Sequence, residues 1–254
     1  GLVLAEALDE AVAAAQIGVT TAHVDSVFAS VLERHNAKSN FKGYHGFPAT
    51  ICASVNEEVV HGFPSDYVLK DGDVLKIDGG AIIDGWHADS ARTVIMGSAD
   101  PEDQRLSDIT QEAMWRGIAA LAEARFVGQI GEAIDDFVSS VPGAPLGILE
   151  DYVGHGIGSE MHQAPDVLNY RTGHRGARVK PGMCLAIEPM LVRGDLETKV
   201  LEDDWTVVTV DGARASQWEH SVAVHLGGIW VLTAHDGGVE GLAPFGVTPS
   251  PIQA

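Results

Sequence analysis

Two carboxylates, Asp78 and Asp89, stand eleven residues apart in strand-like sequence, and their spacing suits a β-hairpin. The dipeptide Asp84-Gly85 between them is typical of a tight turn, which would bring the two acids together. Neighbouring carboxylates in an apolar setting repel each other, so one of them would be forced to take up a proton. A bound divalent cation removes that cost. Taken alone, the pair is a weak signal, because an acid beside glycine is also an ordinary turn sequence.

Two histidines and two further acids add to the candidate ligands. His155 and His162 lie among three glycines in residues 154–162, where the backbone could come close to a ligand. A Gly-x-Gly pattern also occurs in phosphate loops, but no Lys-Ser or Lys-Thr follows to complete one. Glu188 and Glu219 each interrupt an apolar run, and a carboxylate there is costly unless it is paired or bound to a metal. The alternative is a solvent-facing position on an edge strand.

Taken together, these side chains predict a metal centre with four carboxylates and one imidazole. Such a mixed oxygen and nitrogen set suits Mn²⁺, Fe²⁺, Co²⁺ or Zn²⁺. So many acids can serve two ions if some of them bridge, as in two-metal hydrolases, whose ions lie about 3.5–4 Å apart and hold a nucleophilic hydroxide. The predicted ligands are Asp78, Asp89, Glu188, Glu219 and one of the two histidines, His155 or His162.

An internal repeat indicates how the chain could position these ligands. Residues 69–78 and 179–188 are ten-residue segments of the same pattern, in which Lys, Gly, Leu, Ile and a terminal acid fall in matching positions. Residues 18–28 and 128–138 both begin at a glycine and enter an amphipathic helix. Both pairs are 110 residues apart (78 to 188, and 18 to 128), which indicates a duplicated unit.

Each half of the chain shows helical patterns first and strand-like runs afterwards. This order predicts an α+β fold with pseudo-twofold symmetry, in which an antiparallel sheet core carries helices on its outer face. Because no Ser/Pro-rich linker divides the halves, we expect one domain over residues 1–254, with halves of about 1–125 and 126–254. Helices are predicted at 4–15, 24–34, 101–124 and 130–138, strands at 50–55, 74–77, 91–96, 183–187, 206–210 and 221–225, and a tail at 241–254.

The bulk composition excludes several classes of protein. A formal net charge of −20 argues against a nucleic-acid binder, which needs an excess of Lys and Arg. No apolar run approaches the ~18 residues of a membrane span, and no basic segment followed by an apolar block predicts a signal peptide. Cys52 and Cys184 cannot build a disulfide framework. We therefore expect a cytoplasmic protein with no membrane partner.

A series of motifs resembles the type I methionine aminopeptidases of the M24 family, in that family's order and spacing from about residue 18 to about residue 232. The resemblance implies the pseudo-symmetric pita-bread fold and two divalent metal ions, Co²⁺, Mn²⁺, Fe²⁺ or Zn²⁺. It also implies removal of the initiator methionine from nascent proteins, with a preference for a small second residue. The motifs lie at residues 44–48, 55–62, 77–78, 87–93, 154–158, 161–162, 187–190 and 217–220.

The resemblance also assigns roles to the candidate ligands. It implies that Asp78 chelates one metal, that Asp89 and Glu219 bridge both, and that His155 and Glu188 complete the other shell. Glu188 is also a candidate proton shuttle.

Further residues are assigned to the substrate. His61 and His162 are not ligands in this reading; they contact the substrate amide and the tetrahedral intermediate, and with Glu188 they form the catalytic set. A pocket for methionine needs soft, apolar walls, because a thioether is long, flexible and polarisable. Each apolar member could equally be plain core packing, and Met161 stands where the family commonly has Phe. The implied pocket residues are Tyr44, Phe47, Cys52, His61, Met161 and Trp205.

Two other functions compete with this hypothesis. A prolidase or Xaa-Pro aminopeptidase of the same fold usually carries a large additional N-terminal domain, for which this chain has no room. A metal-free pita-bread binding module should have lost ligands, whereas all five are present. The expected partners are peptides and nascent chains with an N-terminal methionine, with transient ribosome contact through a small patch at most. We expect a monomer that does not bind nucleic acid directly.

Overall fold

The computed structural model describes residues 1–252 of the chain. Five α-helices are present in this part: α1 (Leu2–Ala14), α2 (Thr21–Arg34), α3 (Pro101–Leu121), α4 (Gly128–Ser140) and the short α5 (Val239–Leu242). The strands are β1 (Lys38–Ser39), β2 (Ile51–Val55), β3 (Glu58–Val60), β4 (Val74–Ile83), β5 (Trp86–Ile95), β6 (Gly147–Ile148), β7 (Gly154–Gly156), β8 (Gln163–Val167), β9 (Cys184–Ile187), β10 (Met190–Val192), β11 (Thr198–Val200), β12 (Val207–Thr209), β13 (Ala215–Gln217), β14 (His220–His225) and β15 (Gly228–Val231). Short 3₁₀ helices span Tyr44–Gly46 and Ala243–Phe245.

The strands form four antiparallel sheets, and the predicted α+β architecture is confirmed. In the first half, β4 pairs with β1, β2 and β5. In the second half, a five-stranded sheet has the order β15-β14-β9-β7-β8. The remaining strands form two three-stranded sheets, β13-β10-β6 and β11-β12-β3. No helix of the described residues is long and apolar enough to span a membrane.

The long helices cover the outer side of the sheets because each carries one apolar stripe. In α1 and α2, buried residues such as Leu4 and Phe28 share a core with Ile77 of β4. In the second half, α3 and α4 pack in the same way, and Ile118 and Ile187 belong to their common core. Every helix except α5 was predicted from the sequence to within three residues at either end.

The turns before β4 and before β9 each need a glycine because of their backbone conformation. Gly72 and Gly182 are equivalent in the repeat, and their φ angles are +82° and +95°. These values lie in the left-handed region, which a residue with a Cβ enters only at a cost. The repeat seen in the sequence therefore corresponds to a repeated local conformation.

Strand β4 is longer than predicted, which corrects the expectation that it ends near Asp78. It continues through Gly79 and Gly80 to Ile83, because these glycines belong to the strand and not to a turn. A Cβ on Gly79 would lie 2.6 Å from Phe28 Cζ, and one on Gly80 would overlap the Asn40 side chain. The glycines therefore permit close packing of neighbouring elements against the strand.

The C-terminal part of the chain also differs from the sequence prediction. Within residues 241–252, which were expected to form a tail, the chain completes α5 and a 3₁₀ turn. Leu242 is fully buried in the core of the second half. The segment is therefore packed against the domain at this point.

The turn glycines provide a test of the repeat. We expect Gly182→Ala to lower the free energy of unfolding by about 1–2 kcal/mol, because φ at this position is left-handed while no atom would obstruct the new Cβ. Urea denaturation measures the change. Gly173→Ala is the matched control, since Gly173 has equally open space and no positive φ, and it should be neutral. Equal losses in the two variants would contradict the backbone explanation.

Candidate metal centre

The five predicted ligands converge from both halves of the chain. Asp78 lies in β4 and Asp89 in β5, where they pair with Ala91 and Gly80 respectively, so that both acids lie on the same face of the hairpin. The turn at Asp84-Gly85 has positive φ angles at both residues, as predicted for a tight hairpin. The other three lie in β7, directly after β9, and between β13 and β14; they are His155, Glu188 and Glu219.

Hydrogen bonds between the halves hold this arrangement. The Ser221 hydroxyl donates to the Asp89 main-chain oxygen (2.7 Å) and accepts from the Asp89 amide (2.9 Å). The Ser90 hydroxyl donates to the main-chain oxygen of Glu219 (2.6 Å), whose amide donates to Ala91 (3.1 Å). All of these groups are buried. The backbone positions of Asp89 and Glu219 are therefore fixed relative to each other.

The ligand atoms themselves are close together. One oxygen each of Asp89 and Glu219 and one ring nitrogen of His155 all lie within 4.8 Å of one another. His155 Nε2 is 3.5 Å from Glu188 Oε1. Glu188 Oε2 and Asp78 Oδ2 are both within hydrogen-bonding reach of the same side chain, that of Gln217.

The acids are present at considerable electrostatic cost. Burial raises the pKa of Asp78 to about 7. Burial, together with repulsion from the neighbouring carboxylates, raises the pKa values of Asp89, Glu188 and Glu219 well above the usual range. Burial lowers the pKa of His155 to about 4, so its imidazole is neutral at pH 7 and can act as a ligand.

The charges and oxygens of this cluster fit a divalent cation. Asp78 Oδ1, Asp89 Oδ1 and Glu219 Oε1 are buried and have no hydrogen-bond partner among the described residues. The nearby guanidinium of Arg92 donates to the Ser90 hydroxyl and to the main-chain oxygens of Ala91, Glu219 and Thr233, and not to these carboxylates. Acceptor oxygens without donors, beside a neutral imidazole, are what a metal ion satisfies.

An aromatic pocket adjoins the carboxylates in the same cavity. Phe47 is buried, and its ring makes edge contacts with Phe63 and Trp205 at centroid distances of 5.1 Å each. Every residue that the sequence assigned to the site lines this cavity, together with Phe41, which the sequence did not assign. The assigned lining residues are Tyr44, Phe47, Cys52, His61, Asp78, Asp89, His155, Met161, His162, Glu188, Trp205 and Glu219.

Two aromatic residues at the pocket were not assigned from the sequence. Phe41 lines the cavity and makes an edge contact with Phe47 at 6.1 Å, while Phe63, which is not a lining residue, packs against Phe47 at 5.1 Å. Phe63 is two residues after His61, within a conspicuous His-Gly-Phe-Pro run, and this proximity was the available signal. Phe41 carried no comparable signal.

The two additional histidines face the cavity with defined neighbours. The hydroxyl of Tyr44 and Nδ1 of His162 are 3.0 Å apart, and the rings of His162 and His155 are in edge contact at 4.4 Å. His61 has a left-handed backbone (φ +62°), and its ring makes an edge contact with Trp205 at a centroid distance of 6.0 Å. Burial lowers the pKa of His61 to about 4. Both imidazoles are therefore available as neutral hydrogen-bonding groups.

The chain belongs to metallopeptidase family M24, whose model it matches over residues 1–225. It is 44% identical to methionine aminopeptidase 1 of Mycobacterium tuberculosis (strain CDC 1551 / Oshkosh) over 237 residues, which are 92% of this chain and 89% of the relative. It is 40% identical to methionine aminopeptidase 1 of Bacillus subtilis (strain 168) over 216 residues, covering 85% and 86%. The family makes it a metal-dependent peptidase, as the sequence predicted.

Solved structures agree with this assignment. Methionine aminopeptidase from Thermotoga maritima superposes with a TM-score of 0.88 at 37% identity, covering 92% of this chain and 93% of that chain. Prolidase from Pyrococcus furiosus superposes with a TM-score of 0.71 at 20% identity, covering 91% of this chain and 60% of that chain. The second likeness shows the shared fold alone, and the predicted pita-bread fold is confirmed.

The raised pKa of Asp78 predicts a pH dependence of stability. The native state holds this proton more tightly than the unfolded state, so the stabilisation is complete below about pH 4 and is lost as the pH rises through about 7. We expect the free energy of unfolding of the metal-free protein, relative to that of Asp78→Asn, to fall as the pH rises from about 5.5 to about 7.5. Urea denaturation of both chelator-treated proteins at each pH measures this difference.

The difference in unfolding free energy between the two proteins removes the contribution of Lys76, which changes with pH in the opposite direction. Burial lowers the pKa of Lys76 to about 7, which favours the native state as the pH rises, but it does so equally in both proteins. A pH-independent difference would contradict the assignment of the raised pKa to Asp78. Added Mn²⁺ should stabilise the wild-type protein most at the higher pH, where its carboxylates are ionised.

Proposed function

We propose that the protein is a methionine aminopeptidase that releases the N-terminal methionine of peptides and newly made proteins, preferring a small second residue. The observation that carries the proposal is a single cavity in which buried carboxylates and a histidine adjoin an aromatic pocket. The relatives named above bear this activity in their names, and they match most of the chain.

The carboxylates would hold two divalent ions, of which Co²⁺, Mn²⁺, Fe²⁺ and Zn²⁺ all accept this set of ligands. When bound, the ions would polarise the scissile carbonyl and lower the pKa of a bound water. The residues that would hold the ions are Asp78, Asp89, His155, Glu188 and Glu219.

The aromatic pocket would bind the methionine side chain. Phe47 and Trp205 provide flat apolar walls, and the sulfur of Cys52 lies beside them. Met161 is 5% exposed and closes another side. A flexible thioether fits such polarisable walls, and its insertion excludes water from the neighbouring carboxylates.

The two neutral histidines would orient the reacting amide. Where the Tyr44 hydroxyl donates to His162 Nδ1, the ring proton lies on Nε2, which can donate to the substrate carbonyl oxygen. His61, whose ring packs edge-on against Trp205, would contact the substrate amide. Glu188 would accept a proton from the attacking water and deliver it to the leaving amine.

Metal binding explains why the enzyme would require a free N-terminus. The neutral α-amine of a peptide has a lone pair that a divalent ion held by the residues of this cavity could accept, whereas the nitrogen of an acetylated terminus has none available. An N-acetylated peptide should therefore not be cleaved.

A cytoplasmic location and contact with the ribosome belong to the same proposal. Both cysteines are free thiols, as in proteins of a reducing compartment. Residues 167–187 contain no acid, although the chain carries a net charge of −20. Arg175 and Arg178 are exposed there, with their guanidinium groups 5.6 and 5.7 Å from the Phe126 ring centre. This small basic patch suits a polyanionic surface such as ribosomal RNA.

Peptide cleavage by metal-stripped protein tests the function. We expect added Mn²⁺ or Co²⁺ to restore methionine release from Met-Ala-Ser, but not from its N-acetylated form, and not to produce cleavage of Ala-Pro-Ser. Preferential cleavage of Ala-Pro-Ser would place the protein with the prolidases. Failure to cleave any peptide, together with failure to bind either metal, would leave the metal-free binding module as the function.

A ligand variant and a matched control accompany this experiment. Asp89→Asn should lower kcat by more than about 100-fold, because losing a metal ligand should cost more than changing a residue that only hydrogen-bonds to a ligand. Asp84→Asn changes the same residue type in the exposed turn of the same hairpin, where Asn tolerates a left-handed backbone, and it should leave kcat unchanged.

The hydroxyl of Tyr44 gives a second prediction. Tyr44→Phe should lower kcat by about tenfold at most, which corresponds to the loss of one hydrogen bond. KM should change little, because the aromatic ring still forms the pocket wall. The ¹⁵N chemical shifts of the His162 ring should report a changed tautomer. Tyr67→Phe removes a hydroxyl bonded to Asp73 and serves as the control. Unchanged kcat and ¹⁵N shifts in Tyr44→Phe would rule out this role.

A further inference from the structure

Gln217 lies between an acid of the first half, Asp78, and an acid of the second half, Glu188. The proposed mechanism gives Gln217 no role. It is the last residue of β13 and is 1% exposed. Its Nε2 lies 3.4 Å from Asp78 Oδ2 and 3.5 Å from Glu188 Oε2. The two acids are equivalent positions of the internal repeat, so Gln217 joins the two repeats at the site.

The carboxamide is the right group for this position. Ionised carboxylates only accept hydrogen bonds, while the NH₂ of glutamine has two hydrogens that diverge and can serve two acceptors. With the amide turned over, its oxygen would face two carboxylate oxygens and be repelled. The charge of the neighbours therefore determines the orientation of the amide.

The backbone holds Gln217 at this point. Its amide donates to Thr93 Oγ1 (3.1 Å), and the Thr93 hydroxyl donates to its main-chain oxygen (2.6 Å). The residue also pairs with Met190 in the antiparallel register of β10 and β13. The side chain starts from a fixed position, so its amide group is confined near the acids.

We propose that Gln217 is a positioning residue for the metal centre, which aligns Asp78 and Glu188 by donating one hydrogen bond to each. One oxygen of each acid then faces Gln217 and the other faces the cavity. Asp78 Oδ1 has no partner among the described residues, and Glu188 Oε1 is the atom that approaches His155 Nε2. This inference rests on the proposed metal-dependent function.

A purely structural role for Gln217 makes a different prediction. Gln217→Met keeps the length and volume of the side chain and removes both donors. If Gln217 only fills space, this variant should bind metal as the wild type does. If Gln217 aligns the acids, metal affinity should fall by about 10–100-fold, as when other residues behind metal ligands are changed.

The test is calorimetric titration of metal-stripped protein with Co²⁺, together with the visible absorption spectrum of the bound Co²⁺. We expect Gln217→Met to bind Co²⁺ about 10–100-fold more weakly, with altered absorption bands, while its urea midpoint without metal stays close to that of the wild type. Gln217→Asn retains the amide but withdraws it from the acids by one methylene, so it should also bind Co²⁺ more weakly than the wild type. This variant replaces Gln217→Met in the experiment if Gln217→Met fails to fold.

Asn40→Leu is the control for losing a buried amide near the site. Asn40 donates to the main-chain oxygen of Ala88 and not to a predicted ligand. This variant should have a lower urea midpoint but unchanged Co²⁺ affinity. Wild-type affinity and spectrum in a folded Gln217 variant would overturn the positioning role alone. Absence of Co²⁺ binding by the wild-type protein would instead overturn the proposed function on which it rests.

Discussion

Repulsion among four buried carboxylates is the constraint on which the rest of this structure depends. Without a cation, burial and mutual repulsion oppose ionisation of the cluster, as the raised pKa values of Asp89, Glu188 and Glu219 show. The fold must therefore hold the acids together by interactions remote from their charges. It does so through hydrophobic cores under the helices and through buried hydroxyl bonds from Ser90 and Ser221 between the halves. Folding of the apolar parts therefore supplies the free energy that holds the acids together before a metal binds.

The same constraint relates the aromatic pocket to the predicted metal centre. Cys52 pairs with Asp78 in the register of β2 and β4, so a residue that lines the pocket and a predicted ligand belong to the same part of one sheet. His61 follows β3, and its ring contacts Trp205, another lining residue. The pocket and the predicted ligands therefore share one rigid support, and a shift of either would disturb both.

Local sequence patterns predicted much of this arrangement, and contacts between distant segments account for what they missed. The Asp78–Asp89 hairpin and the repeated turns depend on glycine and spacing, which can be read within a short window. Phe41 could not be assigned, because its place in the pocket depends on packing against the cluster of Phe47, Ala49 and Cys52. The length of β4 was underestimated because Gly79 and Gly80 resemble turn residues until the packing of Phe28 and Asn40 against them is known. Leu242 lies in a Gly- and Pro-rich segment without periodicity, so its burial was not predictable.

The division of the ligands between the repeats has a consequence for the history of the chain. Asp78 and Glu188 each come six residues after the glycine of the repeated turn, Asp78 within β4 and Glu188 directly after β9, and they reach the cavity from opposite halves. A single ancestral unit with one such acid could have formed this cleft only by association with a second copy of itself. Gene duplication and fusion would then have freed the two copies to diverge. One half could keep the hairpin pair of acids while the other acquired His155, giving an asymmetric centre from a symmetric ancestor.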